Sequence, residues 1–408
     1  MFDCHFHLDE ISVSLVGLLE SQDAAGVKKT ALIAPMCPDV KHNTFMKVAG
    51  PILRRAIAAR GRAIPAAARA VYQSLVKKSG MVDIGGSLYR IRAQPDNDRV
   101  MRAVAERPDR FVGWIFVNPA GPADPEHEIR RCAKRPGMIG VKVHPYWHNY
   151  SIQKLFKTAA VCRELSLPML IHLGADENGD FAALADRFPD VTMIFAHAGL
   201  PYIRQVCALA GRRPNVYVDL SCSEYVDYRI AKIALALAGP EKCLFGSDGP
   251  YFHHEKGRFN YAYFADFLNS LGLSSTDRER VAYDNFEKII EKRAAKRKAD
   301  LSLVPEKPKA APERKAKPGE GKHAAAAKPK ARPKPAARKS GPAVLKAASE
   351  PVAKDAPAEA KAPVPVEEKP AAVAIEGKVA APKKKAAVKK GGKKKAPPAA
   401  EAPEPAAA

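Results

Sequence analysis

The chain begins MFDCHFHLDE, with His5 and His7 one residue apart. Side chains alternate along an extended strand, so residues i and i+2 share a face and the two imidazoles form a chelating pair. Alone, an HxH pair arises by chance in a chain with 11 histidines. It gains meaning only if other ligands converge on it. Further histidines and a carboxylate stand at the ends of short apolar runs: His144 in MIGVKVH, His172 in LPMLIHL, His197 in VTMIFAH and Asp248 in KCLFGSD.

Such convergence needs a scaffold in which separate strands end at one face. Eight apolar, β-branched runs occupy residues 2–8, 29–34, 111–117, 138–144, 167–173, 191–197, 215–221 and 242–248. Between them lie helical patterns such as SIQKLFKTAAVCREL, FAALADRF and YRIAKIALALAG, with Pro168, Pro189, Pro214 and Gly239–Pro240 at the joints. Repeated βα units of this length predict a (β/α)8 TIM barrel. A doubly wound open sheet is the competing architecture, but it calls for a glycine-rich phosphate loop after its first strand, and ISVSLVGLLESQ follows here. In the barrel, five histidines and Asp248 fall at the same rim. The stretch between the second and third runs, about residues 36–98, exceeds an ordinary connection. Its patterns TFMKVAGPILRRAIAARGR and AARAVYQSLVKK predict a helical insertion able to cover the barrel mouth.

Composition divides the chain near residue 300. Residues 301–408 contain no Phe, Tyr, Trp or Cys, and carry 25 Lys and Arg against 11 Asp and Glu. Such a Lys/Ala/Pro-rich segment cannot bury enough apolar surface to offset ordering entropy, so a disordered basic tail is expected over 300–408, after a barrel domain at 1–299. Its run KKKAAVKKGGKKK resembles linker-histone tails and would bind nucleic acid or another polyanion in a salt-sensitive, sequence-independent way. The seven cysteines are scattered without a CxxC pair, as in reduced core positions. No run approaches eighteen apolar residues and no signal sequence precedes the first strand; the expectation is a cytoplasmic protein with no membrane partner, able to form a homo-oligomer.

The ordered set DCHFHL, GVKVHP, LIHLG, FAHAGLP, VYVDLS, FGSDGP and DNFEKII resembles the amidohydrolase superfamily. The likeness is to its amidohydrolase-related branch of metal-dependent TIM-barrel hydrolases and decarboxylases, over about the first 290 residues. The resemblance implies one divalent ion held by His5, His7, His172 and Asp248, Zn²⁺ first, with Mn²⁺ or Fe²⁺ compatible with the same ligands. It also implies catalytic roles for His197, beside the metal, and for Asp248, which would orient or deprotonate water. Lys142 and His144 share a strand face and are expected to touch substrate; Asp219 is expected to support the site. His148, His253 and His254 read as exposed loop residues.

Three functions follow as alternatives. The first is metal-dependent hydrolysis of a C–N or C–O bond in a small, anionic substrate. The second is nonoxidative decarboxylation of an aromatic or unsaturated acid at the same ion. The third is a nucleic-acid-associated protein acting through the basic tail.

Overall fold

The computed structural model describes residues 1–37, 44–175 and 180–302. Eight strands form one sheet in chain order: β1 (Phe2–His7), β2 (Lys29–Ile33), β3 (Phe111–Phe116), β4 (Met138–Val143), β5 (Met169–Ile171), β6 (Met193–Phe195), β7 (Val216–Asp219) and β8 (Cys243–Leu244). Every neighbouring pair is parallel. The segment after β8 then returns to β1. Cys4 N donates to Phe245 O at 3.0 Å, Asp248 N to His5 O at 2.7 Å and His7 N to Gly249 O at 2.7 Å. The sheet thus closes into the TIM barrel, and its seam runs through the first and last ligand candidates.

Parallel barrel strands are covered on both sides, which explains their nearly unbroken burial. On β1 the Phe2 ring packs edge-on against Phe286 and the Phe6 ring against Phe259, while His5 and His7 face the barrel mouth. Asp3 clamps the seam. Its carboxylate accepts from Ser247 N and Oγ at 2.9 and 2.6 Å and from the Tyr261 hydroxyl at 2.8 Å. Burial, partly offset by these donors, raises its pKa to about 6.

The insertion differs from its expected form. It contains two helices, α1 (Thr44–Ile57) and α2 (Ala63–Ser74), but also an antiparallel sheet of Val76–Lys77, Met81–Ile84 and Ser87–Arg90. The reason is local. Gly85 and Gly86 both take positive φ (62° and 88°), the two-residue turn that matches strand twist, and they pair Ile84 with Ser87. The Gly-Gly between alternating residues in MVDIGGSLYR is the hairpin signal, outside the helical patterns on either side.

Polar contacts fasten the insertion to the barrel. Arg54 donates to Ser223 O at 3.1 Å and pairs with Asp227 at 3.2 Å; Arg204 Nε donates to Ala58 O at 2.9 Å. The closing helix runs from Asn285 to Ser302. The expected tail beyond it, with its nucleic-acid partner, lies outside the described residues. Among the described residues no helix is long and apolar enough to cross a membrane.

Candidate metal centre

Beneath the insertion lies a cavity of about 640 Å³. Its floor holds His5, His7, Lys142, His144, His172, His197 and Asp248; its walls are largely aliphatic and aromatic. The barrel thus brings every sequence-derived candidate to one chamber. His253 is elsewhere, stacked on Tyr263 with its Nε2 2.7 Å from Ser223 Oγ.

The Asp248 carboxylate is the meeting point. His5 Nε2 lies 3.3 Å and His7 Nε2 3.4 Å from its Oδ1, and His197 Nε2 lies 4.0 Å from Oδ2. His5, His197 and Asp248 offer ligand atoms within 4.8 Å of one another. Each strand-one ring is oriented from behind: His5 Nδ1 stands 2.9 Å from Asp219 Oδ2, and His7 Nδ1 stands 3.4 Å from Ala34 O. An N–H donated there leaves Nε2 as a lone pair facing the carboxylate. Lone pairs converging on a carboxylate repel unless a cation lies between them, and a rear hydrogen bond is the usual way a metal-binding imidazole is fixed. This donor set fits a divalent transition ion.

A second chain of contacts crosses the floor. Hydrogen-bond complementarity orders it from the insertion inward: the Tyr72 hydroxyl donates to His172 Nε2 (3.0 Å), His172 Nδ1 to His197 Nε2 (3.0 Å) and His197 Nδ1 to Ser221 Oγ (2.9 Å). Ser221 in turn donates to Asp219 Oδ1. His172 therefore has both nitrogens engaged, one by another histidine and one by the insertion. Tyr72 and Ser221 are site residues that the motifs do not reveal. Ser221 stands two residues beyond Asp219 in VYVDLS, a same-face spacing that points to it; no pattern announces Tyr72.

Burial pushes every imidazole of the cluster toward the neutral form, His197 to about 4. Burial also works against the charged carboxylates, but attraction to His5 and His197 in their protonated form reverses it at Asp248, as attraction to His5 does at Asp219, holding both below the usual carboxylate range; a divalent ion would take the place of those protons. Neutral imidazoles with ionised carboxylates are the protonation states a metal requires. Lys142 is fully buried, its Nζ 3.2 Å from His5 Nε2, and burial lowers its pKa to about 8 despite Asp248 and Asp219. His144 Nδ1 accepts from Trp147 N at 3.1 Å and its ring stacks on His172 at 3.9 Å.

The backbone is strained where these groups leave the strands. His197 and Asp248 both lie in the left-handed region, at φ of 56° and 58°, which is uncommon for residues with a Cβ and is shared here by Ser166 and Lys256 among others.

Comparison with known proteins adds independent findings. The family described as Amidohydrolase matches residues 2–290. Protein fluG of Emericella nidulans is 24% identical over 159 residues, a stretch spanning 34% of this chain and only 18% of that relative. Among solved structures, 2,6-dihydroxybenzoate decarboxylase from Rhizobium shows 16% identity and a TM-score of 0.43, covering 71% of this chain and 98% of its own. For 4-oxalomesaconate hydratase from Rhodopseudomonas palustris the values are 14%, 0.46, 74% and 99%.

Proposed function

Because the chain belongs to the amidohydrolase family, we propose that it is a metal-dependent hydrolase cleaving a C–N or C–O bond of a small, anionic substrate. One observation carries the reading: the Nε2 atoms of His5 and His7 approach a single Asp248 oxygen, each ring fixed through its other nitrogen. His5, His7 and Asp248 would hold the ion, Zn²⁺ before Mn²⁺ or Fe²⁺, with His172 joining them only as the ion takes over the nitrogen now bonded to Tyr72 or the one bonded to His197. Bound there, it would supply Lewis acidity and a nucleophilic water titrating at about pH 7.

The side chains supply the rest. His197, with Nδ1 directed to Ser221, has its Nε2 between His172 Nδ1 and the Asp248 carboxylate, and would accept a proton there and return it to the leaving group once His172 turns its own nitrogen to the ion. Lys142 offers the anionic end of the substrate a buried cation, and the stacked His144 offers a hydrogen bond. The walls are largely apolar, so charges on the cavity floor are screened less than they would be on an open surface.

The same walls favour one second reading, nonoxidative decarboxylation. When the C–C bond to the carboxylate breaks, its electron pair stays on the carbon that CO₂ leaves and is then protonated, and a low-dielectric cavity favours this dispersal of charge over a solvated carboxylate. Metal content tests what the two readings share, and the product separates them. Full-length protein, dialysed beside its His5→Ala/His7→Ala variant, is expected to retain about one equivalent of divalent ion where the variant retains little. A panel of anionic substrates then distinguishes hydrolytic product from released CO₂. A folded wild type that takes up no Zn²⁺, Mn²⁺ or Fe²⁺ removes the basis of both.

A further inference from the structure

We infer that the insertion is a docking surface for an anionic lipid bilayer, with the cavity mouth facing the lipid. Residues 1–300 carry a formal +9, and the insertion helices and hairpin, residues 44–90, account for +8 of it: nine Lys and Arg against Asp83 alone. The same segment exposes aliphatic surface. Val48, Ile52, Ile64, Val71 and Leu88 are 54–65% exposed, five of the ten large exposed hydrophobics among the described residues.

Their placement is ordered. Val48 and Ile52 are four apart on α1, and Ile64 and Val71 are seven apart on α2, the helical spacings that keep side chains on one face. Ile52, Ile64 and Val71 also line the cavity, so residues more than half exposed to solvent border its opening. Exposed Arg60 and Arg62 occupy the turn between the helices, immediately before Ile64. Amphipathic helices with cations beside an aliphatic stripe are the elements that settle at the boundary between headgroups and acyl chains.

Charge and side-chain type select this occupant. A second copy of the chain would bring the exposed Arg55, Arg60, Arg62, Lys77, Lys78 and Arg90 against the same six cations. Nucleic acid would satisfy the charge, but the exposed groups are aliphatic, whereas stacking on bases takes aromatic rings. An anionic bilayer satisfies both. The expected absence of a membrane partner rests on there being no run long enough to span a bilayer, and interfacial docking needs no such run. The proposal is independent of the reaction performed beneath the insertion.

The test must exclude capture by the basic residues beyond 302, so the full chain is used with a reporter on the insertion. All seven native cysteines are buried, which leaves Leu88→Cys, on the hairpin and outside the cavity lining, as the position for an environment-sensitive fluorophore. Vesicles of phosphatidylcholine with 30% phosphatidylserine in 0.15 M salt are expected to brighten and blue-shift the label, with pure phosphatidylcholine binding about tenfold more weakly. Arg60→Glu/Arg62→Glu and Ile52→Ser/Ile64→Ser should each abolish the shift, although vesicles still sediment the protein through its other basic residues. Both variants change exposed positions, and an unaltered circular dichroism spectrum verifies their fold. Sedimentation without a shift in the unsubstituted chain overturns the proposal. A shift that follows protein concentration without lipid assigns the face to a second copy, and a shift produced by DNA alone assigns it to nucleic acid; each overturns it too.

Discussion

Outside residues 44–90, residues 1–300 hold 33 basic and 32 acidic side chains; within them the ratio is nine to one. The barrel buries nearly all of its strand residues, and its ligand candidates are oriented by carboxylates and carbonyls that are themselves buried. The insertion buries Ile57, Ala58, Ala68, Tyr72 and Val82 in the common core and adds polar contacts to the barrel, yet leaves aliphatic residues in solvent. The difference separates two tasks. The barrel positions the ligand candidates by packing, whereas the insertion covers the cavity and leaves aliphatic residues at its opening.

The sharpest test of the barrel's role is His197→Ala. With a substrate identified by the product screen, kcat is expected to fall by about 10²–10⁴-fold while metal content stays near that of the wild type. Loss of the ion together with activity would make His197 a ligand and reassign the proton carrier. Asp219→Asn comes next. It removes the charge behind His5 and is expected to weaken metal affinity by about 10–100-fold, measured by competition with a chelator. An unchanged affinity would mean that packing alone orients His5.

Tyr72→Phe addresses the boundary between the regions. It deletes only the hydroxyl that reaches His172 and is expected to lower stability by about 1 kcal/mol in chemical denaturation. A null result would show that this hydroxyl contributes little beside the insertion's other contacts, among them the stacking of Tyr72 on Tyr146. The smallest effect concerns His148, whose Nε2 meets Arg92 O at 3.1 Å at the end of the insertion. Burial lowers its pKa to about 4, so between its ordinary value and 4 the unfolded chain binds more protons than the folded one. Its contribution to stability is complete above about pH 6.5 and is lost as pH falls through 4. His148→Gln should flatten that limb of the stability profile.

The contrast also explains what could be read from sequence. All eight barrel strands fall within the apolar runs, because a strand covered on both faces must be apolar almost throughout. Strand ends likewise mark the rim, which is why His144, His172, His197 and Asp248 could be grouped before any coordinates. Two things were hidden there. The left-handed backbone at His197 and Asp248 has no glycine to announce it, and the partners of His172 depend on an element from another part of the chain. In the insertion, the helical patterns of α1 and α2 were visible, but the three-stranded sheet rested on a single Gly-Gly turn. Tyr72 could not be assigned to the site because the direction in which an insertion folds back is not encoded in its periodicity.

The seam between β1 and the segment after β8 carries a consequence for the order of synthesis. Asp3 and Ser247, which lock it, are 244 residues apart, and His5 and Asp248 lie beside them. A ribosome delivers the histidines first and must make nearly the whole barrel before their carboxylate partner emerges. Contacts of such separation form late and slowly. A prematurely terminated product therefore presents the opening histidines without the group that completes their chamber, so a tightly held ion would certify a finished barrel.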